Sequence, residues 1–273
     1  MRFNIHARNY YDEDQILYES ESREGHVDIE FGHIYALVGC NGLGKSTLIR
    51  QICQDSDTSL CNFAHNLLDD HNGRSTFARF SSDPGKEGGE PGTFYLPIDR
   101  RSSARGFGDD SLIAEVSSSF MSTGEALAHD LGPCLAIVRK ELPRLRGKEI
   151  YVLLDDLDVG ASLDAIADER RVIGQIARDL EANGTRFAIC VAANSYELAK
   201  GLECISCADL SPVSFGSYDE YREFILSTRR WKDARDAKNL EAKRRRIRGE
   251  EGERNRKEQA AEKRARKRRG TRS

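Results

Sequence analysis

The run Ile34-Tyr35-Ala36-Leu37-Val38, followed at once by Gly39-Cys40-Asn41-Gly42-Leu43-Gly44-Lys45-Ser46-Thr47, constrains the fold more than any other part of the sequence. A continuous apolar stretch of this length reads as a strand buried on both faces. The residues after it, Thr47-Leu48-Ile49-Arg50-Gln51-Ile52, read as a helix. Gly39 to Ser46 fits GxxxxGKS, and strand, loop and helix together form the setting in which that pattern works. Glycines let the backbone turn its N–H groups around a phosphate, and the helix adds its positive N-terminal end. In such a loop Lys45 reaches the outer phosphates and the Ser46 hydroxyl offers an oxygen to Mg²⁺. Gly39, Cys40, Asn41, Gly42, Leu43, Gly44, Lys45, Ser46 and Thr47 are therefore the candidate ligand-binding residues.

Two more apolar runs match the first. Glu149-Ile150-Tyr151-Val152-Leu153-Leu154 ends in Asp155-Asp156, and Phe187-Ala188-Ile189-Cys190-Val191-Ala192-Ala193 follows a helical pattern over about 164–182 that stops at Asn183-Gly184. Strands alternating with helices predict an α/β layer structure with a largely parallel sheet. Residues 1–38 instead alternate apolar and polar positions in short runs at 2–6, 16–18 and 26–31, with Arg23-Glu24-Gly25 as a turn. That period predicts a half-buried antiparallel strand subdomain at the N-terminus. Residues 70–110 hold most of the turn formers, including Asp83-Pro84-Gly85, and predict little regular structure. Helical periodicity returns over Leu112 to Leu145, broken near Leu131-Gly132-Pro133.

Asp155 stands at the carboxyl end of its strand, where open α/β sheets bind ligands, and is the expected second holder of Mg²⁺ beside Ser46. Asp156 is expected to face an attacking water. With both motifs placed, the chain over residues 1–226 resembles ABC-type P-loop ATPases, in particular the small, single-domain, SMC-like members found in phages and bacteria. The loop GxNGxGKST is that family's version of its phosphate loop. Met121-Ser122-Thr123-Gly124-Glu125 is similar to the family's signature, and Asp155 to Asp164 to the run that carries its D-loop. The resemblance implies ATP and Mg²⁺ as cofactors, catalysis by Asp156 with Lys45 and Asn194, and a homodimer that ATP closes. In that dimer Ser122, Thr123, Gly124 and Glu125 meet the phosphate held by the other copy. Ser122 with Glu125 three residues on is also an ordinary capping box, and both roles are compatible.

The chain departs from the family at three places. The usual Walker B Glu is Asp156, one methylene shorter, and a misplacement of ~1 Å costs roughly a hundredfold in a positioned reaction. Asn194 stands where the switch His is expected, and Asn cannot titrate. No Gln occurs between Gln54 and Gln175, so the Q-loop residue is missing. Slow hydrolysis is expected, with a non-hydrolysing nucleotide switch as the alternative. A transporter motor is disfavoured by the missing Gln and the long spacing from Glu125 to Asp155. Tyr11 is the candidate for stacking on adenine, in competition with Tyr10 and Tyr18. A small-molecule kinase would share the loop, but no acceptor site or lid arginines are seen.

The net charge of −3 hides an asymmetry: residues 227–273 carry 20 Lys+Arg against 8 Asp+Glu, leaving −15 on the other 226 residues. An ATPase domain over 1–226 and a basic extension over 227–273, partly helical or disordered, is the expected division. Lys243-Arg244-Arg245-Arg246 and Arg264 to Arg269 could meet DNA or RNA phosphates. The interspersed glutamates equally fit a solvated helix, and the basic tail could instead fold against its acidic body. No run is long and apolar enough for a membrane span, so a cytoplasmic protein is expected, in the host cytoplasm if phage-encoded. The seven cysteines are odd in number and scattered. Cys204-Ile205-Ser206-Cys207 has zinc-knuckle spacing without a second half, and Cys61, His65 and His71 are the other cluster; buried thiols are the favoured account.

Overall fold

The computed structural model of the chain describes residues 2–9, 12–20, 24–56, 79–80, 92–96, 135, 138–140, 142–155, 157–158 and 161–270. The apolar runs are the middle of one sheet: β5 (Ile34–Val38), β8 (Glu149–Leu154) and β9 (Arg186–Ala192) lie side by side with β9 between the other two. β7 (Gly92–Leu96) and β10 (Glu203–Ser206) extend the parallel core to five strands. β6 (Arg79–Phe80) and β11 (Pro212–Val213) close the two edges in antiparallel fashion. The result is a mixed α/β sheet in the order β11-β10-β5-β9-β8-β7-β6.

Both faces of the sheet are covered, which is why the central strands carry apolar residues at nearly every position. On one face Val38, Val152, Leu154, Ile189 and Val191 pack with Ile166, Ile173, Ile176 and Leu180 of α2 (Leu163–Ala182). Those α2 positions recur at the three-to-four spacing of a helix face. The helix stops where expected: Gly184 takes φ 75° and its N–H reaches the Glu181 carbonyl, while Thr185 N–H bonds Leu180. On the other face Leu37, Tyr151, Leu153 and Cys190 pack with α1 (Lys45–Ser56) and with the strands β1 (Arg2–His6) and β4 (Glu24–Asp28). Tyr151 is fully buried there, edge-on to Phe3 and stacked on Phe31, each at 5.0 Å.

The N-terminal region is antiparallel, as its alternation predicts: β1 pairs with β4, and β2 (Arg8–Asn9) with β3 (Asp12–Ile16). Two details differ from the sequence expectation. Glu24 and Gly25 belong to β4 rather than to a turn, and a Cβ on Gly25 would stand 2.7 Å from the Leu210 side chain, so glycine serves close packing there. The region 70–110 contains β6 and β7, and β7 pairs along its whole length with β8. Its five residues, Gly-Thr-Phe-Tyr-Leu, are too few to assert a period between flanking turn formers.

The chain ends in α4 (Tyr218–Gly270), preceded by the single turn α3 (Tyr196–Ala199). α4 runs through the expected boundary at 226/227 without a break, and Tyr221 near its start is buried in the core against Phe215 and Tyr196. Beyond Leu240 almost every side chain up to Arg254 is exposed. Among the described residues no helix is long and apolar enough to cross a membrane.

Candidate functional site

The carboxyl ends of β5, β8 and β9 lie together, which brings the loop 39–44 after β5, residues 155 and 157–158 after β8 and residues 193–195 after β9 to one edge of the sheet. This is the edge at which open α/β sheets hold ligands. The first loop needs its glycines. Gly39 has φ 146°, and a Cβ there would stand 2.2 Å from the Leu43 side chain; Gly44 has φ 118° and lies against the Tyr18 ring. A turn bond from Leu43 N–H to the Cys40 carbonyl at 3.1 Å folds the loop back, and Leu48 N–H to Gly44 at 2.8 Å begins α1.

Lys45, the first residue of α1, is almost wholly buried and bends back across the loop. Its Nζ donates to the carbonyls of Gly39 at 2.8 Å and Cys40 at 3.4 Å. The next residue makes the decisive long-range contact: Ser46 Oγ donates to Asp155 Oδ1 at 2.9 Å, across 109 positions of sequence. A hydroxyl and a carboxylate oxygen side by side at a helix N-terminus are hard donors suited to Mg²⁺, which takes few protein ligands and completes its shell with water and phosphate. The donor set therefore fits the expected ion at Ser46 and Asp155. Among the described residues there is no group of three or more His, Cys, Asp or Glu arranged for a metal.

Asn194 is at the end of β9 as expected, but its side chain faces another acid. Asp158 accepts the Asn194 side-chain amide at 2.9 Å, the Asn194 backbone N–H at 2.8 and 3.0 Å, and the Ser195 N–H at 2.6 Å. The amide nitrogen is thus committed to Asp158, which ties the loop after β8 to the loop after β9. Tyr18 also has a structural position: its ring is fully buried and its hydroxyl donates to the Gly44 carbonyl at 3.0 Å. Burial holds that phenol well above its ordinary pKa. Tyr10, Tyr11, Asp156, the run Ser122, Thr123, Gly124 and Glu125, and the cluster Cys61, His65 and His71 all lie outside the described residues.

Cys204 and Cys207 do not form half of a zinc knuckle. Cys204 lies on β10 and Cys207 in the turn that follows it, and the two side chains are buried in different core clusters. Burial pushes the Cys204 thiol up to about 11 and the Cys190 and Cys207 thiols up to about 12, the last despite the opposing charge of Lys45. At pH 8 the thiolate fraction of the latter two is on the order of 1 in 10⁴. Iodoacetamide at that pH is expected to leave Cys190, Cys204 and Cys207 unmodified in the native protein and to label them all in urea. Labelling of Cys190 or Cys207 at native rates comparable to the unfolded chain, read by mass spectrometry, would contradict this packing.

The residues that sequence reasoning missed are on α4. Thr228, Lys232, Arg235 and Asn239 recur at spacings of four, three and four, and all four face the loop or β3. Thr228 Oγ1 accepts the Cys40 N–H at 3.2 Å. A Cβ on Gly42 would come within 2.9 Å of Lys232 Cε. Arg235 donates to the carbonyls of Leu17 and Leu43 at 3.0 Å and of Gly42 at 3.2 Å. Asn239 brackets Ile16, accepting its N–H at 2.8 Å and donating to its carbonyl at 3.0 Å. The 4-3-4 spacing was visible in the sequence, but it is carried by polar residues within a run of charge.

No protein-family model matches the chain, and no curated protein matches it in sequence. Among solved structures it is similar to a nucleotide-free ATP-binding cassette from an ABC transporter, at 12% identity and a TM-score of 0.34, over 83% of this chain and 96% of that one.

Proposed function

We propose that the chain is an ABC-like P-loop ATPase that binds Mg-ATP at Gly39–Thr47, hydrolyses it slowly and closes into a homodimer around it. The observation that carries this reading is the Ser46–Asp155 hydrogen bond beside the buried Lys45, at the joint carboxyl ends of β5 and β8. Backbone N–H groups of the loop and the start of α1 would hold the phosphates, and Lys45 would exchange its carbonyl partners for the outer phosphate oxygens. Mg²⁺, held through Ser46 and Asp155, would neutralise charge on those oxygens. Asp156 would orient the attacking water, and Ser122 to Glu125 of a second copy would cover the terminal phosphate. The exposed basic residues of α4, Lys243 to Arg246 among them, would contact DNA or RNA or a partner.

A second reading, a switch that binds without turnover, draws on Asn194. Its amide is committed to Asp158, and neither it nor the short Asp156 replaces a titratable switch residue and a full-length Glu. Titration calorimetry with Mg-ATP, light scattering of Asp156→Asn with and without ATP, and phosphate release with and without DNA or RNA test these points together. Micromolar binding, an ATP-dependent dimer and slow release are expected. No binding overturns the nucleotide reading; binding without a dimer overturns closure; binding without release selects the switch.

A further inference from the structure

Arg235 is an unusual feature of this site, because a guanidinium with only 10% of its side chain exposed is directed at uncharged carbonyls. Burying a cation is costly unless hydrogen bonds and charge repay it. Part of the return is local. Asp236 accepts from Arg235 at 3.0 Å and from Lys232 at 2.6 Å, and the guanidinium lies 5.2 Å from the Trp231 ring centroid. Burial alone would raise the Asp236 carboxyl, but the hydrogen bonds from Lys232 and Arg235 outweigh it and hold the group below its usual range. None of this explains why the fork points at Gly42 and Leu43, two consecutive residues at the apex of the phosphate loop.

A trans peptide directs its C=O and the following N–H to opposite sides. Drawing the Leu43 carbonyl toward α4 therefore turns the Gly44 N–H away from α4, towards the interior of the loop. A charged donor on the carbonyl also polarises that peptide, which makes the opposite N–H a stronger donor. The Gly42 carbonyl is held by the same fork, so its peptide is fixed in the turn that Leu43 N–H makes with Cys40. We propose that Arg235 is a positioning residue for the phosphate groups of the nucleotide: it holds the apex of the loop in the donor-inward conformation from behind, without touching the ligand. Thr228 and Asn239 seat the helix that carries it, one turn or two on either side.

This assignment rests on the nucleotide reading above, and its test separates the two. Affinities for ADP and for inorganic pyrophosphate are measured by calorimetry on the full chain as wild type, Arg235→Gln, Arg235→Lys and Arg235→Ala. Loss of hydrogen bonds from a charged donor predicts a drop of about 10-fold for both ligands in Arg235→Gln, because the loop has to be ordered by the ligand itself. Arg235→Lys should recover part of the loss, and about 10 mM guanidinium should recover part of it in Arg235→Ala. Hydrogen exchange over 39–47 in the ligand-free protein should quicken in Arg235→Gln. A wild type that binds neither ligand removes the nucleotide reading and this assignment with it. A wild type that binds, with Arg235→Gln binding as tightly, overturns the assignment alone. Weak binding accompanied by a large fall in melting temperature, and restored by neither lysine nor guanidinium, identifies a merely structural arginine and also overturns it.

Discussion

Replacing Lys45 by Ala is expected to weaken Mg-ATP binding by about 100-fold, the value of roughly 3 kcal/mol for a lost charge-assisted contact in a desolvated site. The Lys45 side chain is nearly free of solvent, and its ammonium is satisfied by two loop carbonyls. It can therefore move to a phosphate without first shedding a full hydration shell, and the ligand gains most of the Coulomb term. The methyl group of Ala leaves the Gly39 and Cys40 carbonyls in a loop that still has its glycines and its turn bond. Those two carbonyls lose a buried donor, so the melting temperature of the ligand-free variant should fall by several degrees while the fold is kept. Calorimetry giving an ATP affinity within about 3-fold of the wild type would reject the loop as the phosphate site.

The second large effect is on stability and needs no ligand. Asp158→Ala removes the acceptor of the Asn194 and Ser195 backbone N–H groups and of the Asn194 amide. Asp158 is buried while Asn194 and Ser195 are half-buried, so water reaches the freed donors only in part. At about 1–3 kcal/mol for each of three donors if fully buried, discounted for that partial access to water, the total is about 3–5 kcal/mol. For a chain of this size that is a fall of about 10 °C in melting temperature. Asp158→Asn keeps one carbonyl acceptor and should recover part of the loss. A scanning calorimetry shift below about 3 °C for Asp158→Ala would show that the link between the loops after β8 and β9 contributes little.

The legible part of this fold is the part in which chemistry and period coincide. Ile34–Val38, Glu149–Leu154 and Arg186–Ala192 are apolar at nearly every position because both sides of the sheet are covered, by α2 on one and by α1 with β1 and β4 on the other. The pairing of Ser46 with Asp155 was legible for a related reason: each is fixed to the end of a strand that could be recognised by itself. Contacts between polar residues far apart in sequence have no such marker. Asn194 stands where the resemblance implies a catalytic residue, and nothing in Ala192-Ala193-Asn194-Ser195 signals that Asp158 takes its amide. α4 was divided at 226 on charge alone, whereas Thr228, Lys232, Arg235 and Asn239 belong to the body by hydrogen bonds that charge counting does not register. β7 was hidden by the turn formers on either side of it.

The seating of α4 has a mechanical consequence. Tyr221 anchors its first turns in the core, and the polar attachments that follow run from Thr228 on the phosphate loop to Asn239 on β3, 11 residues or about 16 Å at the rise of an α-helix. From Asn239 the helix continues to Gly270, an arm of about 46 Å on the same measure. The arm beyond Asn239 is about 3 times as long as that seated stretch, so a small tilt of a rigid rod is magnified about 3-fold at its far end. Gly249 and Gly252, both on the free arm, are where such a rod would flex first. The helix thus reaches from the loop that holds Lys45 to a point far outside the body, a distance set by residue count alone.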